Sequence, residues 1–216
     1  MSNIRKIDPA DPDPDLIREA AGIIRGGGVV VFPTLGLYGL AADAFRETAL
    51  KKIFDIKQRP DHKPVLVMID STGDIGRLVV HIPPVGKALM ARFWPGRLTI
   101  VFAAAHGLPT MLTAGSGKIG VRLPGHPVSA ALVKASNRPV TGTSANISGD
   151  GGCVRIADMD ARVIDMADLV LDAGELEGGV GSTVIDVTVD PANILREGAL
   201  SAKEILGLLY PERVTF

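Results

Sequence analysis

Val29-Val30-Val31-Phe32-Pro33-Thr34-Leu35-Gly36-Leu37-Tyr38-Gly39-Leu40 is the stretch from which the fold can be read. Its first four residues are β-branched or aromatic and show no polar alternation, the pattern of a buried strand. Pro33 to Leu40 then reads as a loop and turn. Upstream, Asp11-Pro12-Asp13-Pro14-Asp15 supplies a capping residue, an early proline and an acidic first turn, which together mark a helix entry. Leu16, Ala20, Ile23 and Ile24 follow at helical spacing, and Gly26-Gly27-Gly28 stops that helix before the strand. A helix feeding a buried strand is the repeating unit of an α/β sheet.

The same alternation continues outward. Residues 47–57 form a helix with Leu50, Ile53 and Phe54 on one face, and 65–69 a strand. Residues 84–93 are helical and end at Trp94-Pro95-Gly96. Strands are expected at 98–102, 119–123, 139–143, 168–171, 183–187 and 193–195, with helices at 128–135 and 202–209. The late strands follow one another without helices between them, so the expected fold is one α/β domain over 1–216, a twisted mixed β-sheet with helices on both faces.

Composition narrows the function. The 216 residues carry 23 Lys+Arg and 24 Asp+Glu, a net charge of -1, which excludes a globally basic nucleic-acid coat but leaves room for a local basic groove. Cys153 is the one cysteine, so neither an intrachain disulfide nor a zinc site of paired cysteines can form. The apolar runs are too short to span a bilayer, and the polar, acidic N-terminus resembles neither a secretory nor a transit signal. A cytoplasmic protein is expected.

Several motifs fail on context. Gly115-Ser116-Gly117-Lys118-Ile119-Gly120 matches G-x-G-x-x-G, but a strand pattern and Pro124 follow it where a dinucleotide site needs a helix. Gly142-Thr143-Ser144-Ala145-Asn146 misses the nucleophile elbow at its last position. His62, His81, His106 and His126 lack metal-ligand spacing and read as surface or capping residues.

Cations, hydroxyls and small residues remain, gathered where strands and helices end, which is where open α/β sheets hold ligands. Lys57 continues the apolar stripe of its helix, and Arg59 and Lys63 follow in the next loop. Three cations within seven residues suit a polyphosphate. Compensation of a helix C-terminus is the alternative. Thr141 to Gly149 offers backbone amides that can approach an anion, with Ser144 and Asn146 to orient it; an ordinary Ser/Asn turn would look the same. Arg122, between apolar strand neighbours, needs a carboxylate partner, internal or from a substrate, and Arg196 poses the same question.

Together these segments resemble the threonylcarbamoyl-AMP synthase family, the YrdC-type domain. The resemblance runs in order from about residue 15 to 200. It rests on Pro33-Thr34 with Tyr38-Gly39-Leu40, Lys57-Gln58-Arg59-Pro60, Phe93-Trp94-Pro95-Gly96-Arg97-Leu98-Thr99 and Val121-Arg122-Leu123-Pro124-Gly125-His126-Pro127. It continues in Ser144-Ala145-Asn146-Ile147-Ser148-Gly149, Ser182-Thr183-Val184-Ile185-Asp186 and Leu195-Arg196-Glu197-Gly198. The resemblance implies a YrdC-like fold and a nucleotidyltransferase joining L-threonine, bicarbonate and ATP into threonylcarbamoyl-AMP and pyrophosphate. The product serves N6-threonylcarbamoyladenosine formation in tRNA, so tRNA or the threonylcarbamoyl-transferase complex is the implied partner.

It further implies ATP contacts from Arg59, Lys63, Lys118, Asn146 and Arg196. Threonine contacts are implied from Thr34, Tyr38, Arg122, Ser144 and Ser182, and catalytic roles for Lys57 and Arg59. A Mg²⁺ held mainly by the phosphates would need no acidic cluster. The chain departs from the family pattern at four places. Gly36 replaces the second hydroxyl of P-T-x-T, Met68 a histidine and Gly181 a glutamate, and Glu197 stands in the late R-P-G. Several of these resemble the YciO-like branch, so a paralogue with altered or absent threonine activity is the alternative. An RNA-binding module and a carbamoyl-transfer domain are more distant ones.

Overall fold

The computed structural model describes residues 3–210. β1 (Ile4–Lys6) leads to α1 (Pro14–Arg25), whose Asp13 cap accepts from the Asp15 amide at 2.8 Å and whose end falls at Gly26. β2 (Val30–Pro33) and β3 (Tyr38–Ala41) form an antiparallel hairpin, and α2 (Glu47–Lys57) and β4 (Val67–Met68) follow. Then come α3 (Pro84–Phe93), β5 (Leu98–Ala103), the short α4 (Thr110–Thr113), β6 (Lys118–Arg122) and α5 (Pro127–Ser136). β7 (Val140–Thr141) and β8 (Thr143–Ser144) are separated by Gly142 alone. α6 (Ala161–Met166), β9 (Leu169–Asp172), β10 (Thr183–Asp186), β11 (Asn193–Arg196) and α7 (Ala202–Leu209) complete the chain.

The α/β class with mixed pairing stands, and the strands divide into two sheets rather than one. The first has the order β1-β9-β2-β3-β8, the second β11-β10-β5-β6-β4-β7. Both contain parallel and antiparallel neighbours. The sheets meet at the β7–Gly142–β8 turn. There Thr141 N donates to Ala42 O at 2.9 Å and Gly142 N to Leu66 O at 3.0 Å. Asp43 bridges Val140 and pairs with Arg138 at 2.5 Å. A Cβ at Gly142 would lie 2.7 Å from Leu66 Cδ1 and 2.9 Å from Met68 Cγ, so the sheets join through a residue without a side chain.

The run that opened the reading is buried on both sides for a visible reason. Val30 and Phe32 enter the core under α1 and α5, while Val29 and Val31 enter the opposite core against α2 and α6. Each such side chain contributes about 1.5–3 kcal/mol by leaving water. Over β5, β6 and β10 the second sheet has helices on one face only, while Met68 and Val140 of β4 and β7 also pack into the core under α1 and α5. Leu98, Ile100, Phe102, Ile119, Val121 and Ile185 face a core built with α2, α3 and α7, and the other face is left open.

β3 occupies much of the stretch expected to be a loop; it is short and contains Gly39, so its pairing with β2 outweighs its weak local signal. β1 and α6 are likewise short elements that the periodicity did not mark, and the 65–69 strand shrinks to two residues. Among the described residues no helix is long and apolar enough to cross a membrane.

Candidate active site

The open face of the second sheet is the floor of a cleft of about 740 Å³. Strand alternation builds it. β6 turns Lys118, Gly120 and Arg122 into the cleft while Ile119 and Val121 are fully buried in the core. β5 contributes Thr99 and Val101, and the β10 segment Ser182, Val184 and Asp186. The β2–β3 turn and the ends of the first sheet close the sides with Thr34 to Gly39, Gly142 to Ser144 and Asn146, joined by Arg59 from the loop after α2.

Arg122 is the most confined cation on the floor. It is 9% exposed, and its Nε donates to Gly96 O at 2.7 Å. No ion pair to a carboxylate forms there among the described residues. Burial, with Arg97 and Arg196 nearby, lowers its pKa to about 10. Arg196 donates from Nη2 to Ser182 O at 2.7 Å, and Ser182 Oγ shares a hydrogen with Thr99 Oγ1 at 2.8 Å. Lys118 Nζ pairs with Asp186 at 2.8 Å. Burial opposes ionisation of Asp186, but the bonds from Lys118 and Thr188 still hold its carboxyl below the ordinary value.

Arg59 is half-buried, and burial lowers its pKa. Its Nε donates to Lys63 O at 3.1 Å and Nη2 to Pro64 O at 2.7 Å. The Lys63 side chain is exposed and lies off the cleft lining, so its backbone carbonyl alone meets Arg59.

Lys57, expected to be catalytic, is 1% exposed and also absent from the lining. Its Nζ donates to Ser144 O at 2.6 Å, Asn146 O at 2.9 Å and Asn146 Oδ1 at 2.8 Å. Burial first, then Arg59, lowers its pKa to about 7. The side chain therefore braces the 144–146 loop. Asn146 is spent in the same way: its Oδ1 also accepts from Ser144 Oγ at 2.6 Å, and its Nδ2 donates to Asp150 O at 2.6 Å.

Thr34 Oγ1 donates to Leu37 O at 2.7 Å within its own turn. Tyr38 lines the cleft, but its hydroxyl donates to Gly174 O at 2.7 Å and accepts from Ala173 N at 3.0 Å; burial raises its pKa to about 12. His126 caps α5, accepting the Val128 amide at Nδ1 over 3.2 Å.

Cleft residues that the sequence reading missed are Arg97, Thr99 and Asp186. Thr99 and Asp186 could have been found by carrying the alternation of each strand from its apolar core positions. Arg97 stands where the motif leaves the residue open, and no pattern marked it. In all, Arg59, Arg97, Lys118, Arg122 and Arg196 line a cleft whose carboxylates are Asp150 and Asp186. Such a surplus of positive charge favours an anionic ligand over a cationic one. No group of three His, Cys, Asp or Glu able to hold a metal ion occurs among the described residues.

A family model named for Sua5, YciO and YrdC, and described as telomere recombination, matches residues 22–198. The chain belongs to the Sua5/YciO/YrdC family. Threonylcarbamoyl-AMP synthase of Pyrococcus abyssi is 40% identical over 189 residues, covering 88% of this chain and 56% of that protein. This chain thus spans little more than half the length of that relative. The crystal structure of P. abyssi Sua5 complexed with L-threonine superposes with a TM-score of 0.89 at 36% identity, covering 96% of this chain and 61% of that one. The Escherichia coli YciO structure gives a TM-score of 0.86 at 30% identity, covering 95% and 100%. Both family branches suggested by the motifs therefore share this fold.

Proposed function

We propose that this Sua5/YciO/YrdC chain is an L-threonylcarbamoyladenylate synthase, a nucleotidyltransferase acting on L-threonine, bicarbonate and ATP. The observation that carries the reading is Arg122, a buried guanidinium without an internal carboxylate, set in a cleft rich in cations. A substrate carboxylate would complete it. The named activity of the P. abyssi relative and the threonine in its crystal structure support the choice of substrate.

The chemistry asks little of a nucleophile. The threonine amine and bicarbonate form a carbamate with loss of water. A carbamate oxygen then bonds to the α-phosphorus of ATP as the bond to the β-phosphate oxygen breaks, and pyrophosphate leaves with that electron pair. Positioning and charge neutralisation dominate such a step. Arg122 and the Ser182 hydroxyl would hold the amino acid, and Ser144 would orient it. Arg59, Lys118 and Arg196 would neutralise the polyphosphate, and Lys57 would keep Ser144 and Asn146 in place. A Mg²⁺ held by phosphate oxygens fits this donor set and would withdraw charge from them. The product would pass to tRNA modification, with tRNA or the transferase complex as partner and the cytoplasm as the setting.

Mixing the protein with ATP, Mg²⁺ and bicarbonate, with and without L-threonine, tests the reading. Threonine-dependent pyrophosphate release is expected. Release without that dependence, or none, favours the YciO-like reading instead. That reading is motivated by Gly36 and by Met68, whose apolar side chain lines the cleft.

A further inference from the structure

Between β9 and β10 the chain crosses from the first sheet to the second through residues 173–182. This crossing is a strap tied down along its length. The Tyr38 hydroxyl holds its start at Ala173 and Gly174. Leu176 N donates to Val154 O at 2.9 Å, and Gly178 N to Gly36 O at 3.1 Å. The Glu177 carboxylate pairs with Arg97, whose Nη2 also donates to Leu35 O at 2.7 Å. Gly174, Gly178 and Gly179 have φ of +79°, +79° and +93°, so the strap turns between its ties where other residues would be strained.

One of the chain's departures from the family pattern, Gly36, meets the strap directly. A Cβ at Gly36 would lie 2.8 Å from Gly178 O, so the strap occupies the space a side chain at 36 would take. A second departure, Gly181, lies further along the strap beside Arg196, and with Val180 and Ser182 it carries the strap into the lining of the cleft that Leu35 to Leu37 also line. Arg97 thus ties two segments that both line the cleft near Arg122.

We propose that Arg97 is a specificity-determining residue: by holding Leu35 and Glu177 together it fixes the strap behind Gly36 and so sets the size of amino acid admitted beside Arg122. This rests on the reading that an amino acid binds there. The Glu177 side chain is 75% exposed, so the tie is light and can open for substrate exchange.

The test compares wild type, Glu177→Gln, Arg97→Met and the double variant with L-threonine and the bulkier L-isoleucine. The ratio of kcat/KM for threonine over isoleucine should fall by about fivefold in Glu177→Gln, the upper end for an exposed ion pair. The ATP Kd should stay unchanged in Glu177→Gln, whose altered side chain lies off the cleft lining, and the double variant should discriminate no worse than Arg97→Met. An unchanged ratio, a parallel loss of ATP affinity or multiplying effects would overturn the proposal. Should wild type release no pyrophosphate with any amino acid, the reaction reading fails. The tie is then judged by hydrogen exchange: faster exchange at Leu176 and Gly178 in Glu177→Gln supports it, and unchanged exchange refutes it.

Discussion

The Arg122 guanidinium is 9% exposed and donates to one carbonyl, with no carboxylate paired to it among the described residues. Burying such a charge costs stability that a bound anion would return. Arg122→Met should therefore melt no lower than wild type when empty, while losing the stabilisation that added threonine provides. A large drop in the melting temperature of the empty protein would contradict this. Arg59→Ala should weaken ATP binding by about 1.5–3 kcal/mol, the range for a charged hydrogen bond, as titration calorimetry can measure. Lys57 has a pKa lowered to about 7 from 10.5, chiefly by burial. The unfolded chain then holds one more proton between those values, so stability rises with pH across about 7 to 10.5, by up to about 1.4 kcal/mol per unit. Lys57→Met should flatten that slope in urea unfolding at several pH values. The sequence showed that Lys57 lies on a buried face, because helical spacing reports burial. It could not show the three acceptors, which lie 87 and 89 residues away.

Among the elements, the strands β5 and β6 and helices α2 and α3 were legible because each is long enough for its period to show, and the four-residue β2 and β10 because they are rich in β-branched residues. β1 and β8 were not, because strands of two or three residues are held by partners distant in sequence, and β3 was not, because Gly39 weakens its local signal. The cleft was legible as a set of loops, while its floor was not, since reading it requires knowing which strands lie side by side. The β7–β8 turn is the element most exposed to a single change. Gly142→Ala would push a methyl group against Leu66 and Met68 at the join of the two sheets. It should cost on the order of 1 kcal/mol in denaturant unfolding, a modest case of overpacking. No loss would mean that the Leu66 side chain simply turns aside.

For the whole molecule, a net charge of -1 hides a cleft with five cationic side chains. The overall balance says nothing of where the cations gather. Folding does the gathering, by stacking the uncovered face of one sheet against the loop ends of the other. The same strands serve both cohesion and chemistry: in β6 the odd-numbered Ile119 and Val121 fill the interior, and the even-numbered Lys118, Gly120 and Arg122 line the cleft. Deleting a single residue inside β6 would exchange the two sets, sending guanidinium and ammonium groups inward and isoleucine and valine outward. Length variation is therefore barred from the cleft's own strands and confined to the segments that connect them.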